Sequence, residues 1–523
     1  MESFRTFQDI EVKLVGAVAQ PYETAVASAR TCYSGKGIVY PEQVSVDEKA
    51  IILRDRIASS TLEAGHLTTR QHAHFVFAIS GISRQCIWSF LHSHPFYNSE
   101  QVSQRYVRVK RGGFVAPPLS LSAQKRYEEA VDQQMSTYES LIHALKIPLS
   151  TDFFDRFKAR KHQPEKWNSS IDKRAYEVAR YVLGVGTTAY LYHTVSVLTL
   201  LRYVRLSREF ETPTEQRILI DKMLGEVKAF DPLLEKEIQD PIPLEETLEY
   251  RLWNEFAGPN PKPHERFVRE FDTKLEGKIS KLISATPDAE SVLAHAARVM
   301  LGRTQEELPT AQAIEYFLDP KHNRLIGDTL NTATFDRLSQ VLHHVSFTFH
   351  KKISHTADSQ DQRHRTVPAS RPLLFFHYFG KPDYVVPFGI TQSTEATELY
   401  QKSMEKTFTA INDLLSEGVT SEFAFYLLPN AFPIRMVSTG DLHSLTHKWK
   451  LRTCYNAQEE IFRASIDEIQ QVRELYPALA EHLRAPCYLR LRAGTKPYCP
   501  EGDRFCGLPV WKYDINQYDR KSL

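Results

Sequence analysis

The stretch VKLVGAVAQPYETAVASARTCYSG, residues 12–35, has a counterpart in KISKLISATPDAESVLAHAARVMLG, residues 278–302. One such pair is weak evidence, but two more follow in the same order. HAHFVFAISGISRQ (72–85) resembles HHVSFTFHKKISH (343–355), and the segment 175–207 resembles 421–453. Three pairs in register read as two copies of one domain. The copies cover 1–225 and 275–523. The segment between them, 226–274, is rich in proline and charge (PLLEKEIQDPIPLEE, FAGPNPKPHER) and suits a linker with some helix in it.

Periodicity within each copy is mixed. HAHFVFAIS and TAYLYHTVSV alternate and favour aromatic or β-branched residues, as strands do. Residues 45–65 read as a helix capped by Ser45 with Glu48 closing a capping box, and Gly65 beyond its end. Its expected buried stripe is Ile51, Ile52, Ile57 and Leu62. Long helices are expected at about 122–146 and 393–417. The fold class is therefore α+β, twice: a β-sheet with long flanking helices in each copy.

Bulk properties narrow the function. With 65 Lys and Arg against 64 Asp and Glu, the chain lacks the basic excess of a nucleic-acid binder. No signal pattern or membrane-spanning apolar run is present, so a cytoplasmic protein without a membrane partner is expected. Six cysteines in 523 residues make no disulfide framework. Cys32, Cys86 and Cys454 read as small buried hydrophobes. Cys487, Cys499 and Cys506 sit together near the end, with His482 a candidate for a fourth ligand; reduced structural thiols are the simpler reading, and no metal site is expected. Gly184-Val185-Gly186 lacks the strand-turn-helix setting of a dinucleotide fingerprint and reads as a turn.

The chemistry concentrates in SQDQRHRTVPASRP, residues 359–372. Two guanidinium groups one residue apart, Arg363 and Arg365 around His364, can hold a pyrophosphate through paired, directional hydrogen bonds. An isolated tripeptide of this kind is usually a solvated basic turn. Here the strand FTFH precedes it and Gln360 stands three residues before Arg363. This arrangement resembles the RHR signature of the flavin-dependent thymidylate synthases, in which a later Ser-x-Arg-Tyr follows. Copy two has Leu373 where that serine belongs. Copy one has His92-Ser93-His94 in place of RHR but keeps Gln101, Ser103, Gln104, Arg105 and Tyr106.

Other family positions divide in the same way. The nucleotide-contacting arginine after alanine survives in copy one as Arg180, where copy two has Phe425. The arginine that lies against the pyrimidine survives in copy two, in LRTCYNAQEEI, as Arg452; copy one has Ser207. Gly65, His66 and Thr68 match the family's Gly-His-x-Thr in copy one alone.

The resemblance implies a reductive methylation of dUMP to dTMP, with methylenetetrahydrofolate as carbon donor and NADPH reducing FAD. It implies dUMP contacts from Gln101, Ser103, Gln104, Arg105, Arg180, Gln360 and Arg363. It implies FAD contacts from Thr68, Arg363, His364, Arg365, Asp441, His443 and His447, a folate-side His66, and Arg452 as the catalytic cation. Asp441 and His443 depart from the family's Asn and Arg. Family members are homotetramers with sites between subunits, so one composite site from the two copies, and a homodimer of this chain, are expected. Two other readings remain open: an inactive relative that binds nucleotide or flavin, and methylation of another uridine nucleotide such as UMP.

Overall fold

A computed structural model describes residues 4–92, 96–207, 211–256, 264–328 and 335–519. Four strands of copy one, β1 (Glu11–Ala17), β2 (His74–Ser83), β3 (Asn98–Gln101) and β4 (Thr188–Ser196), form an antiparallel sheet in the order β1-β2-β4-β3. Copy two repeats it with β5 (Ser280–Ala285), β6 (Ser346–Ser354), β7 (Ala369–Ser370) and β8 (Pro433–Asp441) in the order β5-β6-β8-β7.

The repeat holds residue by residue. Leu14 pairs with Phe77 and Gly16 with Val76, so Val15 bulges out; Leu282 pairs with Phe349 and Ser284 with Thr348, so Ile283 bulges at the same place. Both bulged side chains are about half exposed, at 45% and 48%. This fixes Phe77 as the counterpart of Phe349, and the pairings with β4 and β8 then match Ser196 to Asp441. One irregularity belongs to copy one. Gly81 interrupts the pairing of β2 with β4, at φ +79°, a conformation that suits glycine.

The chain forms two compact units. The first comprises Met1–Met135, Leu183–Lys262 and Lys406–Leu428; the second comprises Ser136–Val182, Pro263–Glu405 and Pro429–Leu523. Each unit thus includes a stretch from the opposite half of the sequence, secured by a buried carboxylate. In the first unit Glu215 accepts hydrogen bonds from the Ser83 amide and hydroxyl and from the Tyr426 hydroxyl. In the second, Glu460 accepts from the Ser354 amide and hydroxyl and from the Tyr181 hydroxyl at 2.8 Å. Burial raises the pKa of both carboxyl groups. The Gly184-Val185-Gly186 turn lies in the first unit. A Cβ on Gly184 or Gly186 would stand 2.9 or 3.0 Å from the Tyr426 carbonyl oxygen, so glycine is required there for close backbone approach.

The expected long helices are Leu121–Arg156 and Thr394–Ser416. The early helix is Glu48–Glu63, and two expectations about it fail. Its cap is Asp47, which accepts the Ala50 N–H at 2.7 Å, while the Ser45 hydroxyl faces Arg54 and Glu23. Ile51 and Ile52 are exposed, and the buried face is Arg54 and Ala58. The Arg54 guanidinium goes inside because Glu23 and Asp55 neutralise it. Cys32 is exposed, contrary to expectation, because it sits at the last turn of the Pro21–Cys32 helix. Among the described residues no helix is long and apolar enough to cross a membrane.

Candidate functional site

In the second unit the RHR segment follows a short helix, His355–Asp361, capped by the Ser354 hydroxyl. The Arg363 N–H reaches the Gln360 carbonyl and the His364 N–H reaches the Asp361 carbonyl, making a tight turn. That turn leaves Arg363 and Arg365 exposed and buries His364 between them. Arg452, the last residue of the Leu442–Arg452 helix, closes over it. Its Nε donates to His364 Nε2 at 3.0 Å and its Nη2 to the Gln360 carbonyl at 3.3 Å. Accepting at Nε2 fixes His364 as the neutral Nδ1–H tautomer. Burial, aided by the Arg452 charge, holds its pKa well below the ordinary value.

A buried ion quartet underlies this loop. Lys351 of β6 bonds Glu468 at 2.6 Å and Asp361 at 3.3 Å, and Lys448 bonds Asp361 at 3.0 Å. Glu468 also accepts the Trp449 indole N–H at 2.7 Å. The two lysines hold both carboxylates below their usual range. Through Asp361, whose carbonyl receives the His364 N–H, the quartet fixes the loop to the sheet. The register above places Ile79 of copy one at Lys351, and continuing the sequence offset beyond the strands places Phe90, Tyr203 and Met223 at Asp361, Lys448 and Glu468; all four are buried. Arg371 adds a bidentate pair to buried Asp358, at 2.8 and 2.9 Å. Sequence reasoning missed the quartet and this pair; lysine inside an alternating strand was the available signal.

Other expected site residues lie in the same unit. Arg180 is buried; its carbonyl accepts from Asn430 Nδ2, and the Asn430 carbonyl accepts the Thr356 N–H, which ties Arg180 to the first turn of the helix bearing Gln360. Gln360 Nε2 is buried without a partner among the described residues. The His447 ring lies 6.0 Å from that of His364. His447 and His443 line a cavity of about 90 Å³ together with Thr446, Lys450 and Arg484. Asp441 caps the helix through the Ser444 N–H and bonds His343 Nδ1 at 2.9 Å.

The first unit holds the remaining candidates. Gln101, at the end of β3, accepts from Arg84, which also donates to the Val102 carbonyl. The Ser103 hydroxyl accepts the Arg105 N–H, and its carbonyl receives the amides of Tyr106 and Val107, so SQRY is a turn. The Arg105 guanidinium lies 5.3 Å from the Tyr106 ring centre, and Gln104 is buried. His66 and Thr68 are exposed beyond Gly65, whose φ is +73°. Ser93 and His94 lie outside the described residues.

The cysteines of the tail sit around a small cavity with Cys454 as the fourth member. His482 instead faces Asp319 and Tyr488. Burial pushes the Cys454 and Cys487 thiols up to about 12, which suits inert thiols.

The family model described as Thymidylate synthase complementing protein matches residues 13–233 and again 281–478. The chain therefore belongs to that family and carries its pattern twice. Similar proteins are named flavin-dependent thymidylate synthase. The one from Geobacter sulfurreducens is 29% identical, over 43% of this chain and 92% of its own length. That of Clostridium tetani is 25% identical over 43% and 86%, and that of Nitratidesulfovibrio vulgaris 32% identical over 34% and 73%.

Proposed function

We propose that this chain is a flavin-dependent thymidylate synthase, a cytoplasmic transferase that methylates dUMP at C5 to give dTMP. Methylenetetrahydrofolate supplies the carbon and NADPH reduces FAD. The observation that carries this reading is the placement of Arg452 on His364 and the Gln360 carbonyl, directly over the RHR turn. A guanidinium fixed in this way is a permanent cation at set geometry. It can stabilise negative charge developing on a pyrimidine, so C5 is activated without an enzyme nucleophile.

The residues present fit a flavin dinucleotide. Arg363 and Arg365 project from one turn, His443 and His447 line a neighbouring cavity, and Gln360 Nε2 is a buried donor still to be satisfied. When bound, FAD supplies the hydride. Arg363, His364, Arg365, Asp441, His443 and His447 would hold it, with Thr68; Gln101, Ser103, Gln104, Arg105, Arg180, Gln360 and Arg363 would hold the nucleotide; His66 would lie on the folate side. We assign these to one composite site per chain, with a homodimer as the working form. The support is the sorting of losses: each motif abandoned by one copy is kept by the other, and the ion quartet under the RHR turn exists in copy two alone.

The test is an FAD absorbance titration followed by dUMP. A flavin spectrum perturbed by dUMP, and lost in Arg363→Ala and separately in Arg105→Ala, supports the composite site. Turnover with dUMP but not UMP then fixes the substrate. No flavin binding would make an inactive relative the better reading.

A further inference from the structure

We propose that His343, Asp441 and His443 form a binding site for one divalent transition-metal ion. Among the described residues these three are the group whose donor atoms all lie within 4.8 Å of one another. His343 Nδ1 and Asp441 Oδ2 are already 2.9 Å apart. Two ligands about 2.1 Å from a metal stand roughly 3.0 Å apart at right angles and roughly 3.4 Å apart at the tetrahedral angle, so an ion replacing the shared proton asks the two atoms to part by about half an ångström at most. The His343 and His443 rings are 4.5 Å apart, centre to centre.

Backbone hydrogen bonds hold the three residues together. Ser346 of β6 pairs with Asp441 of β8, and the Leu442 N–H donates to the Val345 carbonyl at 2.7 Å, which seats His343 beside the helix carrying His443. The fold itself does not require this set. Copy one has Gln71, Ser196 and Leu198 at the corresponding positions, yet His74 of β2 still pairs with Ser196 of β4 there.

Two imidazoles and a carboxylate select a borderline ion such as Zn²⁺ or Co²⁺ over Mg²⁺ or Ca²⁺, which prefer oxygen. Three protein ligands leave positions open for water or an oxygen anion. His443 also lines the 90 Å³ cavity. The tail cysteines are a separate cluster and do not share these ligands.

Full-length protein stripped with chelator is titrated with Co²⁺, without flavin, and followed by visible absorbance. One equivalent bound with nitrogen–oxygen bands is expected. Asp441→Asn keeps the helix cap, because the amide oxygen still accepts the Ser444 N–H, and both it and His443→Gln should weaken binding by at least about tenfold. Cys487→Ser should leave binding unchanged. The proposal is overturned if wild type binds no stoichiometric ion, if both ligand variants bind as wild type does, or if thiolate charge-transfer bands appear and vanish in Cys487→Ser. Because flavin is absent throughout, failure here leaves the thymidylate reading intact.

Discussion

Replacing Lys351 with isoleucine, the residue copy one has at that place, removes one cation from a buried set of two cations and two anions. Lys351 lies 2.6 Å from Glu468 and 3.3 Å from Asp361, and all four side chains are nearly inaccessible. Lys448 is then left to compensate two buried carboxylates, and breaking such a set costs about 3–5 kcal/mol. At roughly 2 °C per kcal/mol for a body of this size, the unfolding midpoint should fall by about 6–10 °C. Converting the whole set to copy one's residues (Lys351→Ile, Asp361→Phe, Lys448→Tyr, Glu468→Met) should recover part of that loss. About 1–3 kcal/mol should stay missing, because the Trp449 indole N–H loses Glu468. Differential scanning fluorimetry with urea titration reads both variants. A single variant within about 1 kcal/mol of wild type, or a quadruple variant worse than the single, refutes the idea that unpaired charge dominates.

Arg452→Lys keeps the charge but loses the fork that bonds His364 and the Gln360 carbonyl at once; turnover should fall by about a hundredfold or more in a tritium-release assay, with flavin binding retained. Tyr181→Phe leaves buried Glu460 one donor short and should cost about 1–3 kcal/mol in urea unfolding. Acid should destabilise the protein through histidines buried neutral. Burial, with Arg435 nearby, holds His377 down to about 3. Above the unfolded value of about 6.5 neither state binds its proton; below it only the unfolded state does, so stability falls with pH from there toward about 3. Between pH 6.5 and 5 this amounts to roughly 2 kcal/mol, and His377→Phe should flatten that part of the urea-midpoint profile.

The doubled sheet was legible because β2 and β6 alternate buried and open side chains with the same period, so their apolar residues stand out. The turn at 363–365 was legible too, since basic residues around a histidine after FTFH leave a distinctive trace. Ile51 and Ile52 misled because hydrophobicity alone does not register that Arg54, once paired to Glu23 and Asp55, can take the inner face. The quartet escaped for the same reason: Lys351 reads as solvated until Asp361, ten residues on, and the far more distant Lys448 and Glu468 complete the set. Gly184 and Gly186 gave only a turn, because the carbonyl that forbids a Cβ comes from Tyr426.

The borrowed stretch Lys406–Leu428 has a consequence for how the protein is made. On a ribosome, the first unit has most of its sequence by Lys262 yet lacks this last piece until Leu428 emerges. At about 5–20 residues per second the gap lasts on the order of ten seconds. Throughout it Glu215 lacks the Tyr426 hydroxyl, and the amides of Val185 and Gly186 lack the carbonyls of Leu428 and Tyr426. Newborn chains therefore carry an unfinished domain that holdase chaperones can grip.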